Sequence, residues 1–252
     1  MNRVLRCRFM IRTAPIAMLL GISLGLPAAV ASDAAITPFS SAALGEPPAA
    51  WQFATLPRKV PTRFLIVELG DAKVLKVQSD ESYGNLVHAV NVQLSPHSAL
   101  QWRWRVDRLV EGADLKTRAG DDSPAKICLF FAFDASRLSL GERTKLSIAR
   151  SRTGQDVPAQ TLCYVWDNKL PVDTGIANAF TNRIRVIVLQ SGTDKLGQWV
   201  AQRREVVADY QRMFGDESEG KVPNVTGVAV SADADNTHGH GLSYFGDISL
   251  VP

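Results

Sequence analysis

From Trp51 to the C-terminus, apolar and polar positions alternate along the chain with period two. The segments RFLIVEL (63 to 69), KVLKVQS (73 to 79), LVHAVNVQL (86 to 94), LQWRWRV (100 to 106), KICLFFAF (126 to 133), TLCYVW (161 to 166), RIRVIVL (183 to 189), VTGVAVS (225 to 231) and LSYFGDISLV (242 to 251) are short, rich in β-branched and aromatic residues, and bounded by turn formers. That pattern predicts strands. Gly70-Asp71, between the first two, predicts a tight hairpin, though not in the favoured Asp-Gly order. In the third segment Leu86, His88, Val90, Val92 and Leu94 form one mostly apolar face, and Val87, Ala89, Asn91 and Gln93 form the other. Such a strand suits an antiparallel sheet that is wet on one side. KICLFFAF is apolar on both faces and predicts a central strand. Nine segments of this kind predict a mainly β fold, a two-sheet antiparallel β-sandwich of jelly-roll type.

Two stretches break the alternation. SLGERTKLSIAR (139 to 150) predicts a helix of weak period. LGQWVAQRREVVADYQRMFG (196 to 215) predicts a stronger one, with Trp199, Val206, Tyr210, Met213 and Phe214 in a rough stripe and Gly215 as its C-cap. The stripe is read as core contact, so one or two helices pack on the sandwich.

The N-terminus has a different character. Arg3, Arg6, Arg8 and Arg12 precede an apolar run from Ala14 to Leu26 and then Ala29-Val30-Ala31, the three-part pattern of a cleaved signal peptide over residues 1–31. The run is too short for a membrane span, which needs roughly 20 residues. The sequence therefore predicts a periplasmic or secreted protein with no membrane span after cleavage. Residues 32–50, rich in Ala, Ser and Pro, predict an irregular lead-in, and residues 51–252 a single β-sandwich domain. The chain of 252 residues carries a net charge of +3. Its first 31 residues hold four Arg and no acidic residue, so their removal leaves a charge of about −1. Such a balance gives no reason to expect nucleic acid as a partner. Cys7 leaves with the signal, and Cys128 and Cys163 remain, each in a strand segment. One disulfide or two buried thiols are both open to them.

Three polar clusters carry the candidate chemistry. Arg103 and Arg105 emerge from one face of their strand about 7 Å apart, a spacing at which two guanidinium forks can grip acidic groups of an extended polymer. Internal pairing with Asp107, Asp121 or Asp122 is the plainer reading and takes precedence. The turn Gly120-Asp121-Asp122 forms the second cluster. The third is SADADNTHGHGLSYFGDISL, in which Asp233, Asp235 and Asn236 offer hard oxygen ligands suited to calcium, although the EF-hand glycine and glutamate are missing. An ordinary Asp/Asn turn is the alternative there, and a surface loop is the reading for His238 and His240. Structural calcium is the only cofactor indicated. The chain holds no nucleophile elbow, zincin motif or phosphate-binding glycine loop. Arg103, Arg105, His88 and Tyr244 are the parts from which a polysaccharide lyase would be assembled.

The stretch WRWRVDRLVEGADLKTRAGDDSPAKICLFFAFD, then YVWDN, then GQWVAQRREVVADYQRMFG and finally VSADADNTHGHGLSYFGDISL resemble in order the landmarks of a bacterial secreted family, domain of unknown function 3047. The resemblance covers roughly residues 60 to 251. More loosely, the final strand is similar to those of jelly-roll carbohydrate-binding and galactose-binding-like domains. In those domains an acidic residue near the last strand often holds calcium. Asp247 falls at that position, with Gly246 where a second acid would stand.

Three functions follow as expectations. The first is an exported β-sandwich that binds a glycan or other extracellular ligand without catalysis, through Arg103, Arg105, Asp121, Asp122 and Asp247; Trp166 and Phe245 are candidate stacking rings, with burial the preferred reading for each. The second is a polysaccharide lyase or other glycan-cleaving enzyme. The third is an envelope structural or interaction protein.

Overall fold

The computed structural model describes residues 35–153 and 157–251. The signal-peptide expectation lies outside the described residues. Strands are numbered in chain order. The large sheet runs in the order β1 (Trp51–Ala54), β5 (Ser82–Val92), β12 (Val225–Asp233), β7 (Ser123–Phe131), β8 (Gln160–Asp167), β10 (Ile184–Ser191) and β9 (Gly175–Ala177), with the short β2 (Val60–Pro61) also pairing β5. The small sheet runs β11 (Val200–Glu205), β6 (Ala99–Arg108), β13 (His240–Phe245), β4 (Ala72–Asp80) and β3 (Arg63–Leu69), and β14 (Ser249–Val251) also pairs β6. Pairing is antiparallel except for β8 with β10 and β2 with β5. The fold is mainly β, a two-sheet jelly-roll sandwich with two helices.

The doubly apolar KICLFFAF segment becomes β7, in the middle of the large sheet, where both faces are covered. At Gly70-Asp71 the chain reverses between Leu69 and Ala72, which pair directly, and Gly70 takes φ +65°. Glycine at the first central position is what a type II′ hairpin turn requires. The expected strand 242–251 is split into β13 and β14 by residues 246–248, although the Gly246 N–H still reaches the Arg103 carbonyl of β6 (2.9 Å).

Between the sheets the core is aromatic. Trp104 lies 5.5 Å from Trp102, 6.1 Å from Trp166 and 6.2 Å from Phe245 between ring centroids, and Trp102 meets Tyr164 at 5.5 Å. The described residues belong to one compact unit. Residues 35–50 are irregular but not idle. Phe39 is fully buried against Trp51 at 4.8 Å, and the Trp51 indole donates to the Thr37 carbonyl.

The helix expected over 196–215 needs correction. Residues 200–205 of it form strand β11, which pairs along β6 from Val200 opposite Trp104 to Glu205 opposite Ala99. Helix α2 (Val206–Ser218) starts only where the Val206 N–H bonds the Ser98 carbonyl, and Gly215 lies inside it. Glu219, in the left-handed conformation at φ 50°, ends it. Val206, Tyr210, Met213 and Phe214 are buried in the core as the stripe predicts, but Trp199 precedes β11 and takes no part. The weakly periodic segment is helix α1 (Leu140–Thr153), of which the described residues bury only Leu146.

Glu217, in the last turn of α2, is held by both terminal nitrogens of Arg183 (2.6 and 2.7 Å), by Gln160 Nε2 (3.0 Å) and by Arg185. Burial works against its charge, but these donors hold the carboxyl below the usual glutamate value of 4.5. The stabilisation is therefore fully present above that value and is lost as pH falls through the lower native value. Glu217→Gln is expected to cost about 1.5–3 kcal/mol at pH 7. Its deficit relative to wild type should shrink in urea unfolding at pH 3.5, and a deficit unchanged at that pH would refute the assignment.

Candidate functional site

Two polar sites occupy opposite outer faces of the sandwich. Trp102, Trp104 and Val106 point into the core, so Arg103 and Arg105 stand on the outward face of the small sheet. Ile127, Val228 and Val230 point into the core from β7 and β12, so Lys126 and Asp233 stand on the outward face of the large one. Asp121 and Asp122 lie with Lys126 and Asp233. The residues expected to share one ligand site are thus divided between two sheets, and neither Asp121 nor Asp122 can pair with the arginines.

On the small sheet, Arg105 forms a two-point ion pair with Asp107 on its own strand (2.6 and 3.0 Å) and lies over Tyr244, 6.0 Å from the ring centre. Register sets one row across this face as Arg105, Tyr244, Lys76 and Leu65. Arg103 is exposed and stacks over the Trp199 ring at 4.7 Å. A Cβ on Gly246 would lie 2.7 Å from the Arg103 Cγ, so glycine makes room for that stem. Neither Arg103 nor Lys76 forms an ion pair among the described residues. Burial raises the Tyr244 phenol above its ordinary value and Asp107 adds to the effect, so the ring stays protonated at neutral pH. Asp247, at the margin of this face, accepts from the Ser40 N–H (2.9 Å) and hydroxyl (2.6 Å) and ties down the lead-in.

His88 takes no part in this face. It is buried on the inner side of the large sheet, with Nε2 3.0 Å from the Thr37 hydroxyl. Trp166 and Phe245 are fully buried and present no stacking surface. The half-exposed rings here are Trp199 and Tyr244. Trp199 was hidden from sequence reasoning because the surrounding residues suggested a helix. Its only signal was the period-two alternation of the six residues that follow.

On the large sheet, β7 and β12 are antiparallel neighbours with Ser123 opposite Asp233. The turn before β7 therefore meets the loop after β12. Asp122, 1% exposed, accepts the Thr237 N–H and hydroxyl at Oδ2 (both 2.7 Å) and the Asn236 N–H and side-chain amide at Oδ1 (3.3 and 3.1 Å). Asp121 accepts from the Asn178 amide at 2.5 Å. Asp233 receives the Ser123 N–H at Oδ1 (2.8 Å) and the Lys126 ammonium at Oδ2 (2.6 Å). Lys59 binds Oδ2 of Asp235, whose Oδ1 is buried and has no hydrogen-bond partner. Oxygens of Asp122, Asp233 and Asp235 lie within 4.8 Å of one another.

Burial pushes the Asp233 carboxyl up to about 6, with Asp122 and Asp121 adding to the effect and Lys126 opposing it. Burial also works against the Lys126 charge, but Asp233 and Asp121 outweigh it and hold the ammonium above lysine's ordinary range. Tyr83, opposite Asp233 on β5, is raised as well, chiefly by burial. Burial thus accounts for most of the rise of the acid and the phenol, and the neighbouring carboxylates for that of the ammonium. Asn236 serves here as a donor to Asp122 and to the Asp121 carbonyl, whereas the sequence placed it as a metal ligand beside Asp233 and Asp235. Nearby, His238 and His240 are exposed, with Nδ1 turned to Glu81 and Asp80 respectively.

Cys128 and Cys163 are directly opposite on β7 and β8 and form a disulfide, packed with Val165, Val186 and Val188 on the outer side of the large sheet.

The motifs meet in two pairs: Gly-Asp-Asp with Asp-Asn-Thr, and Trp-Arg-Trp-Arg with Tyr-Phe-Gly-Asp. Residues 49–249 match the family described as Protein of unknown function (DUF3047). The chain belongs to that family. No curated protein matches it in sequence. Among solved structures, the DUF3047 chain is similar to the xyloglucanase domain of NopAA, a type three effector from Sinorhizobium fredii solved with cellobiose, at 10% identity over 80% of this chain and 92% of that one, with a TM-score of 0.42. It is also similar to a family 12 xyloglucanase from Bacillus licheniformis, at 10% identity, 81% and 100% coverage and a TM-score of 0.39. For Trichoderma harzianum endoglucanase 3, of family GH12, the values are 10%, 82%, 99% and 0.37. At these identities the likeness is one of β-sandwich architecture alone.

Proposed function

We propose that this DUF3047 chain is an exported β-sandwich that binds an acidic glycan on the outward face of its small sheet without cleaving it, and that any calcium it holds is structural and sits on the other sheet. The observation that supports binding is the pair of cations without an ion-pair partner among the described residues, Arg103 and Lys76, set beside two half-exposed rings, Trp199 and Tyr244, on one open face. Sugar rings stack on aromatic faces, and uronate or sulfate groups take up guanidinium forks. A chain of residues linked through these contacts suits an extended polymer better than a small compact ligand. Asp107, the carboxylate beside these cations, is held in a two-point pair by Arg105 rather than free to act as a base. Tyr244 stays protonated, His88 belongs to the inner side of the other sheet, and of the carboxylates on that other sheet Asp233 and Asp235 are paired with lysines while Asp121 and Asp122 are held by Asn178, Asn236 and Thr237.

The test is calorimetric titration of the protein with polygalacturonate, a sulfated glycan and a neutral glucan. Binding to at least one acidic polymer is expected, weakening as salt rises. Arg103→Glu should reduce its affinity at least about tenfold, equivalent to 1.4 kcal/mol, while leaving the melting temperature of the free protein unchanged. Equal binding of the neutral glucan, or an Arg103→Glu variant that binds as wild type, would remove the proposal. Absorbance from newly formed unsaturated uronates in the same samples would instead favour a lyase built on Tyr244 and Arg105.

A further inference from the structure

The acidic cluster on the large sheet has an unresolved charge. Four carboxylates, from Asp121, Asp122, Asp233 and Asp235, face two ammonium groups, from Lys59 and Lys126. Two negative charges therefore remain uncompensated among these groups. Asp233 and Asp235 have side chains only 5% exposed, too enclosed to meet a saccharide. Burying such a surplus is costly unless something positive joins it.

The second observation is the orphaned oxygen. Oδ1 of Asp235 is buried and accepts no hydrogen bond among the described residues, although Oδ2 of the same carboxylate holds Lys59. Asp122 and Asp233 each place an oxygen within 4.8 Å of Asp235 and of one another. Oxygens 2.3–2.6 Å from a shared calcium ion can be no farther apart than about 4.6–5.2 Å, so the spacing fits one ion. At Asp122 the pair of bonds on Oδ1, at 3.3 and 3.1 Å, is the longer pair and the one a cation would displace.

We propose that Asp122, Asp233 and Asp235 bind one hard divalent cation of the calcium class, with Asp235 Oδ1 as its anchoring ligand. The donors are all oxygens, with no thiolate or imidazole in the set, which favours calcium or magnesium over zinc or copper. The irregular arrangement, spread over two loops and shared with lysines, favours calcium, since magnesium demands near-ideal octahedral geometry. Competition from Lys59 and Lys126 makes the site weak, with a dissociation constant on the order of 10⁻⁴–10⁻³ M, as in extracellular calcium modules. The bound ion would clamp the Gly120-Asp121-Asp122 turn to the loop after β12. It deepens the calcium part of the proposed function by naming the ligands, and it fails separately from glycan binding because no glycan enters its test.

Terbium reports on this site, because Tyr83 lies opposite Asp233 and can sensitise its emission. Titration of the chelator-treated protein with Tb³⁺, exciting the aromatic residues, should give saturable emission that Ca²⁺ competes away. Asp235→Asn should abolish it, and Glu68→Gln, an exposed carboxylate on β3, should leave it intact. Lys59→Met removes a competitor and should tighten binding several-fold. Near-UV circular dichroism checks that each variant is folded. If Asp235→Asn does not fold, Lys59→Met decides alone. Absence of saturable emission in the wild type, emission retained in folded Asp235→Asn, or weaker binding in Lys59→Met would each overturn the assignment.

Discussion

Replacing Asp209 by Ala is expected to destabilise the protein by about 2–4 kcal/mol, the scale set by charge-assisted hydrogen bonds that lose a buried acceptor. Asp209 lies in the first turn of α2 and is 5% exposed. Its carboxylate takes two bonds from Arg204 of β11, at 2.8 and 2.6 Å, and one from the Tyr164 hydroxyl of β8, at 2.9 Å. One side chain therefore ties the helix to both sheets. Truncation leaves the buried Tyr164 hydroxyl without its acceptor, which costs more than the lost bond itself, and leaves the Arg204 guanidinium, a quarter exposed, only its longer pair with Asp173 at 3.7 Å. Burial and the Asp209 charge both hold the Tyr164 phenol well above its ordinary value, so the hydroxyl remains a donor throughout the accessible pH range. Asp209→Asn keeps the shape and should recover part of the loss. Urea unfolding of the three proteins checks the order. A midpoint for Asp209→Ala equal to that of the wild type would show that α2 is held by its apolar stripe alone.

That apolar stripe was readable in the chain, and so was most of the sandwich. Period-two alternation marks strands such as β3, β5 and β6, whose two faces differ in burial, and KICLFFAF marks the middle of the large sheet because neither of its faces is wet. β11 escaped because an edge strand with residues VAQRRE buries little. Its alternation is carried by polar side chains, and the helical spacing of the residues after it extends backward across the boundary. The sites were less legible for another reason. Each half of the acidic cluster stands out in sequence as a run of Asp and Asn, but Asp122 and Thr237 are brought together only by the pairing of β7 with β12, more than a hundred residues apart in the chain. Nothing local specifies that partner choice. Lys59 and Lys126 carry no motif at all, and they become part of the cluster only through the fold. The arginine pair was visible, and its outward direction followed from the inward tryptophans beside it. Of its aromatic companions, Tyr244 was grouped with the arginines as a residue type, but its place beside Arg105 comes from the pairing of β13 with β6, and Trp199, read as part of a helix stripe, arrives from an adjacent loop.

Asp122→Ala should be the most damaging change at the acidic cluster, at about 2–4 kcal/mol, the scale set by charge-assisted hydrogen bonds left without an acceptor. Four donors from Asn236 and Thr237 converge on this one carboxylate, so its removal frees the loop between β12 and β13 from the turn before β7. Two contributions oppose each other. Lost bonds destabilise, while removal of one carboxylate beside Asp121 and Asp233 relieves repulsion. Asp122→Asn separates them, since it removes the charge but keeps an oxygen that can accept from Thr237. If bonding dominates, Asp122→Asn should lie near the wild type and Asp122→Ala far below it. If repulsion dominates, both variants should gain stability. Amide exchange locates the effect, because the Thr237 N–H, bonded at 2.7 Å in the wild type, should lose its protection in Asp122→Ala while amides at the centre of β7 keep theirs. Retention of Thr237 protection in that variant would mean that the loop is held by the strand ladder of β13 with β4 and that Asp122 contributes charge alone.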